Sequence, residues 1–139
     1  MLQLNPYLRF SGKCREAMEF YKEALGAELD LQTVGESPAA AHMPPETHDS
    51  VMHSTLKKGD LVVMASDMSD PDQAVPTGAV AICLIADNKD ELRGYFDKLS
   101  VGANVTTPLK DEFFGTYGDL VDKFGVSWMF QADMPKTQA

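Results

Sequence analysis

The sequence predicts an α+β fold, in which two strand-helix-strand-strand-strand modules build a cupped mixed sheet. Three observations predict it. The segment Phe20-Tyr21-Lys22-Glu23-Ala24-Leu25-Gly26 is echoed by Tyr95-Phe96-Asp97-Lys98-Leu99, with Gly102 shortly after, and repetition at half-chain spacing implies two similar units. Each echo closes a short amphipathic helix that follows one apolar strand. Turn signals at Lys58-Gly59 and at Asp122-Lys123-Phe124-Gly125 hold matching places late in each half. The 139 residues are read as a single domain, with module one at about 1–70 and module two at about 78–132. A chain of this size removes about two-thirds of its unfolded surface from water and needs no covalent staples.

Taken in order, Leu2, Leu4, Leu8 and Phe10 alternate with Gln3, Asn5, Tyr7 and Arg9, the period of a two-faced strand. Ser11 or Gly12 can cap a helix over Lys13 to Leu25, in which Cys14, Ala17, Met18, Tyr21, Ala24 and Leu25 share one face and Gly26 ends the run. A strand follows from Glu28 to Val34. The next segment holds Gly35, Pro38, Pro44 and Pro45 and reads as a mobile loop, because paired prolines exclude regular helix and central strand. Strands resume at Val51 to Lys57 and at Leu61 to Ser66. In the second half, Val80 to Ile85 is apolar on both faces and reads as an interior strand. Asp87 can cap a helix carrying Leu92, Tyr95, Phe96 and Leu99 on one side. Further strands are expected at Ala103 to Pro108, Tyr117 to Val121 and Ser127 to Phe130.

Hydrophobic residues form 44% of the chain and charged ones 24%, a globular balance. Twenty-one acidic residues against twelve basic ones give a net charge of −9, which argues against nucleic acid and anionic lipid as partners. No run approaches the ~20 apolar residues that cross a bilayer, and the N-terminus shows no basic region followed by an apolar stretch. With only Cys14 and Cys83 present, a cytoplasmic location is expected. Cys83 reads as a small hydrophobe in a strand. Cys14 falls in the first turn of a helix, where the dipole favours a thiolate.

Asn5-Pro6-Tyr7-Leu8-Arg9-Phe10-Ser11-Gly12, then Glu16-Ala17, Phe20-Tyr21 and Leu25-Gly26, resembles the opening of the PhnB-like branch of the vicinal oxygen chelate superfamily, the glyoxalase/bleomycin-resistance fold. Met52-His53 with Met64-Ala65-Ser66-Asp67 is similar to the same branch. So are Phe113-Phe114-Gly115 and the closing Asp122-Lys123-Phe124-Gly125-Val126-Ser127-Trp128-Met129. The resemblance covers nearly the whole chain. It implies paired modules, association of two chains into a homodimer and, in the wider superfamily, a divalent metal held by His or Gln on the first strand and Glu on the last strand of each module. Those places fall here on Asn5 or Pro6, Val63 or Met64, Val80 or Ala81, and Met129. Such residues cannot furnish the nitrogen and oxygen donors of that site. No metal and no cofactor are therefore expected, and a small-molecule ligand is the expected partner. The rivals are a metal-dependent lyase, isomerase or transferase using unconventional donors such as His53 with Asp67, and a protein-interaction module, which eight methionines would also suit.

Three histidines are present. His42 and His48 flank the Pro-rich loop with Glu46 and Asp49, either as a loose cation site or as a solvated loop. His53 alternates with Val51 and Thr55, so the three should share a face, where His53 is either a hydrogen-bonding or general-base group or a satisfied core histidine. Asp67 either bonds backbone amides at a turn or serves as a pocket carboxylate beside His53. Aromatic side chains concentrate in 113–130. Phe113 and Phe114 read as a pocket lid or dimer contact, Tyr117 and Trp128 either as pocket walls with a polar edge or as core filling, and Phe130 as core. Tyr7 and Arg9 share the polar face of the first strand, Arg9 suiting either an anionic ligand or a surface ion pair. No glycine-rich strand-to-helix turn offers a nucleotide or methyl-donor pocket.

Overall fold

The computed structural model describes residues 3–67 and 80–133, which fall in two compact units, Met1–Ala74 and Val75–Ala139. Leu2 and the 69–72 turn that follows Asp67 lie outside the described residues. Each unit is a four-stranded mixed sheet with one helix, so the α+β class stands.

Unit one runs β1 (Tyr7–Arg9), α1 (Cys14–Leu25), β2 (Glu28–Thr33), β3 (Val51–Lys58) and β4 (Leu61–Ser66), with sheet order β1-β4-β3-β2. β1 runs parallel to β4, whereas β2, β3 and β4 are joined antiparallel. The first strand is only three residues long. Leu4, which precedes it, is 97% exposed. α1 buries Cys14, Ala17, Met18, Tyr21, Ala24 and Leu25. Burying a side chain the size of Met18 or Leu25 stabilises by roughly 1.5–3 kcal/mol, so this face holds the helix on its sheet. Gly26 closes α1 at φ 64° with its amide donating to the Lys22 carbonyl, a left-handed cap that glycine adopts without strain.

The Pro-rich segment differs from the mobile loop expected. It folds as three short 3-10 turns, Val34–Glu36, Pro38–His42 and Pro45–Thr47. Thr33 and Glu36 form a reciprocal capping box, Pro38 and Pro45 sit at first helical positions, where the missing amide costs nothing, and His48 Nε2 lies 3.2 Å from both the Ala40 and Met43 carbonyls. A second correction concerns β3. The ladder slips between Gln32 and Thr33, whose partners are His53 and Val51, so the two-residue period is broken there. Val51 is fully buried, while His53 lies on the face opposite the buried Ser54 and Leu56.

Unit two runs β5 (Ile82–Ala86), α2 (Lys89–Leu99), β6 (Asn104–Glu112), β7 (Gly115–Val121) and β8 (Ser127–Ala132), with sheet order β5-β8-β7-β6. β5 is the counterpart of β1: it is parallel to β8 and lies at the sheet edge, not in its interior. Its apolar Ile85 is consequently 67% exposed and Cys83 is exposed rather than packed away. Asn88, not Asp87, caps α2, its Oδ1 accepting the Glu91 amide at 2.9 Å. β6 continues through Pro108 to Glu112, because it is an edge strand and its ladder is irregular between Thr107 and Lys110, where a missing amide is tolerated. Lys110 to Glu112 therefore belong to the strand, and Phe113-Phe114 link it to β7.

One device is repeated. The residue after the last strand of each unit reaches back to the start of that unit's helix: Asp67 Oδ1 accepts the Gly12 and Cys14 amides at 2.9 Å, and Asp133 Oδ2 accepts the Lys89 amide at 3.1 Å. A carboxylate at a helix N-terminus satisfies orphan donors and complements the dipole.

Candidate functional site

Because α1 covers the Ser54, Leu56, Val63 and Ala65 side of its sheet, the alternate residues form a helix-free face. One ladder row crosses that face through Tyr7, Met64, Thr55 and Asp30. His53 stands beside it. Its Nδ1 lies 3.4 Å from the Tyr7 hydroxyl and its Nε2 3.3 Å from the Thr55 hydroxyl, and the Tyr7 and His53 rings are 5.9 Å apart. A neutral imidazole donates from one nitrogen and accepts at the other, and hydroxyls can do either, so both tautomers satisfy the chain Tyr7–His53–Thr55. Both separations are long for such bonds, which leaves the ring available to a better partner.

Unit two has the corresponding face. α2 covers Phe130 through Phe96, whose rings meet edge-on at 4.9 Å, and the opposite row runs Cys83, Met129, Asp119 and Thr107. Asp119 is half-buried. It accepts from the Tyr117 hydroxyl at 2.6 Å and from the Thr106 hydroxyl. Burial alone would raise the Asp119 carboxyl, but the hydroxyls of Thr106, Tyr117 and Thr107 outweigh it and hold it below the usual carboxylate range. The same bond to Asp119, aided by burial and by the Asp119 charge, pushes Tyr117 up to about 12. At neutral pH the pair is an ionised carboxylate and a neutral phenol.

The expected site residues separate accordingly. Tyr7 and His53 come together. Arg9 is exposed opposite Ser66 in the ladder. Asp67 does not approach His53: besides Gly12 and Cys14 it accepts the Val51 amide at 3.0 Å through Oδ2. Trp128 lies in the core of unit two, 2% exposed, with Nε1 donating to Asp122 at 2.9 Å. Phe113 is 94% exposed and stands edge-on to Phe114 at 5.2 Å, which in turn meets Tyr117 at 6.1 Å. Asp119, Thr106 and Thr107 are not singled out by sequence pattern. The available signal is the strand spacing Tyr117-Gly118-Asp119, which puts phenol and carboxylate on one face.

Among the described residues, hollows open on unit one at two places of interest. A shallow groove of about 340 Å³ runs along Glu28, Leu29, Asp30, Thr55 and Lys57, and its Thr55 is the residue whose hydroxyl contacts His53. A cleft of about 480 Å³ lies away from that face, between the start of α1 and the 3-10 segment, with Arg15 among Glu16, Glu19, Glu46, Asp49 and Asp67. Of these, the groove shares a residue, Thr55, with the Tyr7–His53–Thr55 chain.

Strand-paired positions on the two helix-free faces include Tyr7 with Met64 and Cys83 with Met129. A phenol, a thiol and two thioethers do not fit the hard nitrogen and oxygen shell of the superfamily's divalent metal. Among the described residues no group of three or more His, Cys, Asp or Glu side chains could hold a metal ion. Cys14 is no better a ligand or nucleophile, since burial pushes its thiol up to about 11 against the opposing Ser54 hydrogen bond.

Comparison with known proteins agrees with the architecture. The family model of the Glyoxalase/Bleomycin resistance protein/Dioxygenase superfamily matches residues 3–130. The chain is 30% identical over 138 residues to the protein YjdN of Escherichia coli, covering 92% of this chain and 93% of that protein. The crystal structure of PA1353 from Pseudomonas aeruginosa superposes with a TM-score of 0.84 at 35% identity, covering 97% of this chain and all of the other. The PhnB protein from Bacillus cereus gives 0.77 at 25% identity, with 94% and 99% coverage. Among the described residues no helix is long and apolar enough to cross a membrane.

Proposed function

Because the chain belongs to the glyoxalase/bleomycin resistance protein/dioxygenase superfamily, we propose that it is a PhnB-like small-molecule-binding protein whose ligand docks on the helix-free face of unit one without a metal. The observation that carries this reading is the Tyr7–His53–Thr55 chain, an imidazole held by two weak hydroxyl contacts, one of them from Thr55, which also lines a groove. A ligand hydroxyl or acidic C–H brought to the imidazole displaces one hydroxyl contact and can pass its proton to the ring nitrogen, so the same geometry serves sequestration or acid–base chemistry. Tyr7 supplies an aromatic wall and a polar tip, and Met64 an adaptable floor. The reading includes a cytoplasmic setting, in keeping with two free cysteines, and a homodimer, in keeping with the exposed apolar Val80 and Ile85.

The test is thermal stabilisation of chelator-treated protein by a library of small aromatic and carbonyl compounds, since binding to the folded state alone raises its stability. Compounds that stabilise the wild type should lose most of their effect on Y7F and H53Q. Stabilisation that requires added divalent metal, or that is the same in both variants as in the wild type, would overturn the reading. Sedimentation showing only a monomer at micromolar concentration would overturn the dimer.

A further inference from the structure

We infer that the helix-free face of unit two carries an acceptor subsite, centred on Asp119, for a cationic nitrogen group such as an ammonium or amidinium attached to an aromatic or apolar body. The inference rests on the reading of these faces as ligand surfaces and adds the chemical class that one of them selects. A carboxylate offers about four lone-pair directions. Hydroxyl donors from Thr106 and Tyr117 occupy two of them, one on each oxygen, fixing the carboxylate's orientation and leaving it charged. None of those donors brings a positive charge. Ion pairs among the described residues join Lys13 to Glu16, Lys89 to Asp111 and Lys110 to Glu112, and none reaches Asp119. A half-buried charge that is oriented by dipoles but not neutralised is completed by a cation that donates to a direction still open.

The surroundings specify the rest of the ligand. From Asp119 the Tyr117 ring leads to Phe114 and then Phe113 through two successive edge-on contacts, a ladder of three rings ending in the carboxylate. Aromatic faces and edges favour a flat apolar body, and their π-electrons favour a cation beside it. Met129 lies opposite Asp119 in the ladder and provides a soft surface that adapts to the shape of such a body. The net charge of −9 adds a long-range attraction for cations and repulsion for anions.

The probes are benzylamine, benzyl alcohol and benzoate, which share a ring and differ in charge, titrated into nitrogen-15-labelled protein at pH 7. Benzylamine should move the amide signals of Thr106, Thr107, Tyr117, Asp119 and Met129, bind about tenfold more tightly than benzyl alcohol, and outcompete benzoate altogether. D119N, nearly isosteric, should bring benzylamine down to the affinity of benzyl alcohol while leaving the alcohol unchanged. Equal affinity for amine and alcohol in the wild type would overturn the inference without recourse to any variant. So would a D119N protein that melts lower yet binds benzylamine as before, the pattern of a purely structural tie between β6 and β7. Y7F and H53Q separate the two readings. If they leave library hits unaffected while D119N abolishes the amine preference, the unit-one proposal falls and the Asp119 subsite stands. If they abolish the library hits while D119N leaves the amine preference intact, the subsite falls and the unit-one proposal stands.

Discussion

Removing the Asp67 carboxylate should cost more stability than any other single truncation on the surface of unit one. Its Oδ1 accepts the Gly12 and Cys14 amides at 2.9 Å and its Oδ2 the Val51 amide at 3.0 Å, so one side chain ties together the end of β4, the start of α1 and the start of β3. Asp67→Ala loses a helix cap, about 1–2 kcal/mol. It also strips the partner from the amide of Val51, whose side chain is fully buried, a further ~1–3 kcal/mol. The sum is about 2–5 kcal/mol, which at mid-range lowers Tm by roughly 10 °C for a domain of this size. Asp67→Asn retains one carbonyl oxygen but turns an amide N–H toward a backbone N–H, and should fall about midway. Urea unfolding followed by far-UV circular dichroism reads both, and is preferred to fluorescence because the lone tryptophan, Trp128, reports on unit two. A D67A midpoint within ~0.5 kcal/mol of wild type at unchanged m-value would refute the capping argument. If such a protein also lost ligand binding, Asp67 would be a pocket carboxylate instead. Asp133→Ala, which breaks one bond only, should cost about 1 kcal/mol.

Gly118 sits under α2, where an added Cβ would meet the Leu109 backbone and Phe96 Cε2 at 3.1 Å; Gly118→Ala should destabilise by about 1–3 kcal/mol in the same urea assay. Stability should also decline above pH 9. Cys14 stays a thiol in the folded protein up to about 11 and Tyr117 a phenol up to about 12, so the unfolded chain, with ordinary values near 9 and 10, binds fewer protons between those limits and gains as pH rises. C14A should flatten the first part of that decline in a pH series of melting curves, and a parallel slope for wild type and variant between pH 9 and 11 would contradict the assignment. With a disulfide-based thiol reagent at pH 8, the exposed Cys83 should react in the native protein and Cys14 only after unfolding. Two equivalents titrating at one rate under native conditions would show that Cys14 is not sealed.

The regular parts of the fold are legible in the sequence because local pattern and tertiary context agree in them. α1 extends to Leu25 and stops at Gly26 as the apolar spacing and glycine dictate, and β3 and β4 match their expected spans to within a residue. Misreadings cluster where a neighbour decides. Val80 to Ile85 is as apolar as an interior strand, yet β5 is an edge strand, because sheet order is set by long-range pairing with β8 that composition does not encode. In the Pro-rich segment, what proline forbids suggests a loop. Its ordering comes from what proline permits at first helical positions and from the long-range bond of the Gly35 amide to the His48 carbonyl. At the candidate site, His53 and Tyr7 are identifiable as types, but their meeting depends on the register of β1 with β4 and of β4 with β3. Asp119 is visible only when Tyr117-Gly118-Asp119 is taken as one strand face. The helix-capping role of Asp67 is hidden because the amides it accepts are 16 to 55 residues away in sequence.

The central claim, that the helix-free faces and not a metal centre hold the ligand, is most directly tested by amide shift mapping of chelator-treated protein against the same compound library. Shifts should concentrate at Tyr7, His53, Thr55 and Met64 in unit one, with amine-bearing compounds adding Thr106, Tyr117 and Asp119 in unit two, all with no metal present. Shifts that arise only after a divalent cation is supplied, or that fall on α1 and α2 while these strands stay silent, would contradict it.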